Sequence, residues 1–122
     1  MSTFTSFSSV RPYKIWKGAV ARAVNGQRLT MAAVDLDPNV DVPEHRHDNE
    51  QLGFVLRGKV TMVIAGEAKE LAVGDAYAIP GGVPHSARTG PEGATVMDVF
   101  APVRSDWEKA ERLEPSSGRW PA

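Results

Sequence analysis

Turn-forming residues interrupt this chain at short intervals, and that spacing limits what it can fold into. Asn25-Gly26, Asp37-Pro38-Asn39, Gly66-Glu67, Gly74-Asp75 and Pro80-Gly81-Gly82 are the clearest signals. Asn-Gly is a hairpin signal because both residues adopt positive φ at little cost. Proline and aspartate favour turns by presetting φ and by bonding the local backbone. The stretches between read as strands: Tyr13 to Trp16, Ala19 to Val24, Arg28 to Leu36, Gln51 to Arg57, Lys59 to Ala65, Ala68 to Ala72, Ala76 to Ile79, His85 to Arg88 and Ala94 to Phe100. Leu52, Phe54 and Leu56 share one strand face, Gly58 reads as a turn, and Val60, Met62 and Ile64 share the next face. After Pro102 the pattern changes. Ser105 stands as an N-cap with Glu108 as its capping-box partner, which predicts a short C-terminal helix over residues 105–114. Many short strands and one late helix predict an all-β, antiparallel fold, closed into a barrel or split into two sheets. A single domain is expected over residues 1–122, with the Ser/Thr-rich residues 1–10 as a mobile arm.

The totals exclude several classes. Lysine and arginine number 14 against 15 aspartates and glutamates, a formal net charge of -1, and neither sign forms a block. No nucleic-acid partner is expected from such a balance. The N-terminal residues are polar and lack a basic end followed by an apolar run, so no signal peptide is expected. No apolar run is long enough to span a membrane, so a cytoplasmic protein with no membrane partner is expected. Cysteine is absent. Any metal must therefore be held by nitrogen and oxygen.

The chemistry concentrates around the histidines. His45 and His47 lie one residue apart at the start of a strand-like run, and His85 follows a rigid Pro80-Gly81-Gly82-Val83-Pro84 lead. His45, His47 and Gln51 share parity, so all face one side if the strand is unbroken, while Glu50 faces away. A bend at Asp48-Asn49 would reset that parity. A His-x-His pair alone fits either an exposed polar strand face or half of a metal site. All histidines falling in two turn-flanked segments favours a shared site. Asp98 stands alone among Val96, Met97, Val99 and Phe100. A carboxylate in an apolar strand needs a partner or shifts its pKa. It reads either as a structural aspartate paired with an arginine or as a general acid/base. Phe100 shares its parity, and Arg104 is a candidate partner for a substrate carboxylate, or a structural arginine. Tyr77 and Trp16 read as packing residues.

These residues resemble the cupin superfamily. Its first motif runs Gly, five residues, His-x-His, three or four residues, Glu, six residues, Gly. Here His45, His47, Gln51 and Gly58 keep that spacing, with Gln in place of Glu and Asn39 in place of the leading Gly. The second motif is met by Gly74, Pro80, Gly82 and His85, with Thr89 where the family has Asn. The resemblance covers Asp41 to Thr89. It implies a jelly-roll β-barrel holding one divalent metal (nickel, zinc, iron or manganese) through His45, His47, Gln51 and His85. Gln51 marks either a metal-free cupin or a working site with an amide oxygen as ligand. Retention of all the histidines favours the second. Four neutral ligands leave the metal its full charge, which suits polarising a substrate better than oxygen chemistry.

The stretch from His45 to Gly58, the Pro80 to His85 lead, and Asp98-Val99-Phe100 with Pro102 to Trp107 resemble the small KdgF-type cupins of uronate breakdown. That resemblance implies a carboxylate-bearing sugar as small-molecule substrate, opened from a cyclic unsaturated uronate to a linear keto acid. It places a catalytic Asp98 and a substrate-facing Phe100 over the metal. Other metal-dependent cupin chemistry (dioxygenase, isomerase or lyase) and a non-enzymatic binding role are the alternatives, because one fold hosts many functions. Cupins of this size are often dimers, so a homodimer is expected by analogy, with Tyr13 to Trp16 a candidate exchanged strand.

Overall fold

The computed structural model describes residues 3–121. Met1 and Ser2, the first residues of the expected arm, lie outside the described residues. Further along that arm, Phe7 packs edge-on against Trp120 with ring centroids 6.0 Å apart. The strands are β1 (Tyr13–Trp16), β2 (Ala19–Asn25), β3 (Thr30–Leu36), β4 (Asp41–His45), β5 (Glu50–Ile64), β6 (Glu67–Leu71), β7 (Ala76–Ile79), β8 (His85–Ala101) and β9 (Glu111–Arg112). Every pairing is antiparallel. Among the described residues no helix is long and apolar enough to cross a membrane.

β5 and β8 organise the sheet. Each was expected as two strands and each is continuous, over 15 and 17 residues. Gly58 therefore does not turn the chain. It sits at φ 75° inside β5, where the register with β8 shifts between Val55 and Arg57 and again between Gly58 and Val60. A bulge bends and twists a strand without ending it. Gly93 of β8, at φ 68°, lies against it, and a side chain on Gly58 would meet the Gly93 carbonyl.

This bend splits the sheet into two layers. The first half of β5 pairs with β7 and with the second half of β8, from which the ladder continues through β3, β2, β1 and β9. The second half of β5 pairs with β6 and with the first half of β8, which also carries β4. Val34, Leu36, Val55, Val60, Met62, Ile79 and Val96 pack together as the core. The ladder ends at β6 and β9, so hydrogen bonds do not close it into a ring. Along β5 the inward set is Gln51, Gly53 and Val55, all buried, whereas Leu52 and Phe54 stay 52% and 44% exposed. The apolar alternation thus marks the outer face, and the polar Gln51 points in.

β3 starts at Thr30 rather than Arg28, because the Asn25-Gly26 turn extends until the Gly26 N–H donates to the Leu29 carbonyl at 2.8 Å. The helix expected over 105–114 is shorter than expected, a single 3₁₀ segment over Ser105–Lys109. Its N-cap is Arg104, with no side-chain capping bond, so the Ser105–Glu108 box is absent. Trp107 is buried against Phe100, and Glu111–Arg112 pairs with Tyr13 and Lys14 as β9. A helix this short is marginal alone, and pairing with a sheet edge outcompetes it. Arg22, only 1% exposed, ties down the C-terminal tail by donating to the carbonyls of Ser117 at 2.9 Å and Trp120 at 2.7 Å.

Candidate functional site

His45 ends β4, His47 lies in the bend that follows, Gln51 is the second residue of β5, and His85 opens β8. The strand expected to carry the first of these is broken at residues 46–49, yet all four side chains line one cavity. Sheet pairing sets His45 directly opposite His85, with ring centroids 4.3 Å apart. Two contacts hold the His47 bend. The Gly82 N–H donates to the His47 carbonyl at 2.8 Å, and Asn49 Nδ2 donates to the Pro102 carbonyl at 2.7 Å. Gly81 lets this approach happen, since a side chain there would strike the Asp48 carbonyl. Thr89 is structural, because its hydroxyl accepts from Val40 N at 2.9 Å and donates to the Asp37 carbonyl at 2.6 Å.

The imidazole ligand atoms of His45, His47 and His85 all lie within 4.8 Å of one another. Each ring is oriented by the backbone. Nδ1 meets a carbonyl oxygen at 2.8 Å in His45 (Pro43), 3.0 Å in His47 (Asn49) and 2.9 Å in His85 (Val83). A carbonyl can only accept, so each Nδ1 carries a proton, and Nε2 is the nitrogen that is bare whenever the ring is neutral. Burial, followed by the Arg104 charge, lowers the His47 pKa. Burial also pulls His85 down to about 4. Neutral imidazole is the form that binds metal.

Gln51 lies beside the histidines. Its Oε1 lies 3.1 Å from His47 Nε2. With the His47 proton on Nδ1, two lone pairs face each other there, an arrangement a cation between them would relieve. The Gln51 amide also hydrogen-bonds Asp98, and donation from its nitrogen leaves the oxygen turned to the histidines. These residues fit a divalent metal by their chemistry and by their oriented rings.

Asp98, 6% exposed, lies beside this cluster on the wall of a cavity of about 360 Å³. Burial raises its pKa to about 6, against the lowering effects of hydrogen bonds from Tyr77 and Gln51 and of the Arg104 charge. Tyr77 Oη donates to Asp98 Oδ1 at 2.5 Å. Nothing in the sequence pattern separates Tyr77 from a packing residue. Phe100, 2% exposed, sets its ring 5.8 Å from His47. The Arg104 guanidinium lies over Phe100 at 4.7 Å and Trp107 at 4.5 Å, and it forks onto Asp106 at 3.0 and 2.9 Å. The cavity therefore joins a cluster of metal-type donors to a buried carboxyl with a raised pKa and a stacked cation. Its inner wall, including Val34, Leu36, Met62 and Val96, is apolar.

Comparison with known proteins identifies the family and the fold. The cupin-domain family model matches residues 32–100. The pectin degradation protein KdgF of Dickeya dadantii (strain 3937) is 36% identical over 80 residues, spanning 65% of this chain and 73% of that protein. An RmlC-like cupin from Shewanella frigidimarina superposes with a TM-score of 0.80 at 24% identity, covering 88% of this chain and 96% of its own. KdgF from Halomonas sp. superposes with a TM-score of 0.78 at 24% identity, covering 87% and 98%. With its oriented histidines at the mouth of a double-layered β fold, this chain belongs to the cupin family and is a small cupin resembling KdgF.

Proposed function

We propose that this cupin opens cyclic 4,5-unsaturated uronates, the monomers released from pectin or alginate, into linear keto acids. The observation that carries the reading is the Asp98 carboxyl, buried in the cavity wall and hydrogen-bonded to Gln51 beside the three histidines. The relationship to a pectin degradation protein supports the substrate class. His45, His47, His85 and Gln51 would hold a divalent ion (nickel, zinc, iron or manganese), which when bound supplies a Lewis acid for substrate oxygens.

The chain's own residues would do the rest. Arg104 receives the substrate carboxylate, its guanidinium already packed against the Phe100 and Trp107 rings. Phe100 forms the wall that keeps the sugar ring against the histidines. Ring opening removes the proton of the anomeric hydroxyl and breaks the bond from the anomeric carbon to the ring oxygen, leaving an aldehyde and an enol. Adding a proton to the vinylic carbon and losing the enol proton then gives the ketone, with no net change in composition. Asp98 is the group placed to accept and return these protons, with a pKa near the working range of a general acid/base.

The test is turnover of unsaturated galacturonate by the metal-loaded protein and by Asp98→Ala, followed by proton NMR of the vinylic signal. Loss of turnover in Asp98→Ala with metal content retained is expected. Wild-type turnover in that variant would reject the role given to Asp98.

A further inference from the structure

Gly53 is paired on both sides with residues of the same network. Across one edge of β5 it stands directly opposite Tyr77 of β7, and across the other directly opposite Asp98 of β8. Directly opposed residues in an antiparallel ladder project from the same face of the sheet. A side chain at position 53 would fill the space between its two neighbours, meeting both Asp98 Oδ1 and the Tyr77 hydroxyl. Glycine leaves that space open, and the Tyr77 hydroxyl crosses it to Asp98 Oδ1 at 2.5 Å. On its other flank Asp98 pairs with Ala32, which is fully buried and equally small. Tyr77 does not line the cavity, whereas Asp98 and Gln51 do.

We infer that Tyr77, reaching across the side-chain-free Gly53, is a positioning residue that fixes the Asp98 carboxylate in one orientation. This rests on the proton-transfer role proposed for Asp98. Held at Oδ1 by Tyr77, the carboxylate cannot rotate freely. A tyrosine kept only for packing would need its ring and not its hydroxyl. Gly53 has the matching role of keeping the passage clear, which accounts for a glycine at an inward-facing position of β5, where it otherwise weakens the ladder.

The inference is tested with metal-loaded wild type, Tyr77→Phe, Gly53→Ala and Asp98→Asn, measuring kcat and KM on unsaturated galacturonate together with bound metal and melting midpoint. Tyr77→Phe is expected to lower kcat by about ten- to hundredfold, the scale of a misplaced catalytic group. KM, metal content and melting midpoint should stay near wild type. Gly53→Ala keeps both functional groups but crowds them apart, and the same loss in kcat is expected; it carries the test if Tyr77→Phe does not fold. Wild-type kcat in a folded Tyr77→Phe or Gly53→Ala, with Asp98→Asn inactive, overturns the positioning role alone. Full activity in Asp98→Asn overturns the role of Asp98 itself, and the inference with it.

Discussion

Gln51 Oε1 faces His47 Nε2 at 3.1 Å, while the other end of the same amide bonds to Asp98. One neutral side chain thus couples the histidine cluster to the buried carboxyl. A glutamate here would set a carboxylate against Asp98, and two carboxylates sharing a site cannot both ionise easily. Gln51→Glu is therefore expected to bind divalent metal at least as tightly as wild type but to turn over substrate more slowly. Gln51→Leu should weaken metal binding by about tenfold or more, the scale seen when a metal's supporting groups are lost. Competition against a chromophoric chelator, with steady-state turnover in parallel, separates the two.

The histidines make the metal itself testable. A metal that binds only the folded protein stabilises it by about 2.7 kcal/mol when present at a hundred times its dissociation constant. Wild type should therefore melt higher with added nickel or zinc than after chelation. His45→Ala, His47→Ala and His85→Ala should each lose most of that difference. Of the three, His85→Ala should also lower the melting midpoint of the chelated protein, since His85 is 6% exposed in the sheet interior.

Asp98 gives a stability signature with a definite sign. Its folded pKa is raised to about 6 from an ordinary 3.8 by burial. The folded state then holds the proton more tightly than the unfolded chain. The stabilising contribution of protonated Asp98 is complete below pH 4 and is lost as pH rises through 6. A shift of this size corresponds to something on the order of 2–3 kcal/mol. In chelated protein, Asp98→Asn should melt higher than wild type at pH 8, with the advantage shrinking towards pH 4. A difference independent of pH would contradict the raised pKa.

Much of this site is legible in the sequence by residue type and spacing, and the parts that are not share a cause. His45, His47, His85 and Gln51 stand out by chemistry. Parity assigned the first two and Gln51 to one side on the premise of an unbroken strand. The chain instead bends at residues 46–49, and the side chains still converge because Gly82 and Asn49 pin the bend. Tyr77 is invisible to local pattern, since its role depends on a partner in another strand and on the register that sets Gly53 between them. The same limit hid β9. Residues 105–114 carry helical signals, but the edge of β1 was available to Glu111 and Arg112. In each case a contact between distant strands decided what neighbouring residues could not.

Arg104 is held by two rings and by Asp106, so its guanidinium is oriented before substrate arrives. Lysine would keep the charge but lose the fork and most of the stacking. Arg104→Lys is expected to raise KM for an unsaturated uronate by about tenfold or more, as for loss of a charge-assisted hydrogen bond. Its kcat should fall much less. Steady-state kinetics on the metal-loaded variant checks the split, and a kcat-only effect would remove Arg104 from substrate binding.

The most direct measurement is proton NMR of cyclic 4,5-unsaturated galacturonate mixed with the protein as metal-loaded wild type, chelated wild type and metal-loaded Asp98→Asn. Metal-loaded wild type should consume the vinylic signal and produce the linear keto acid well above the spontaneous rate, and the other two should not. Conversion at the spontaneous rate by metal-loaded wild type, or equal conversion by all three, would contradict a metal-dependent ring opening that works through Asp98.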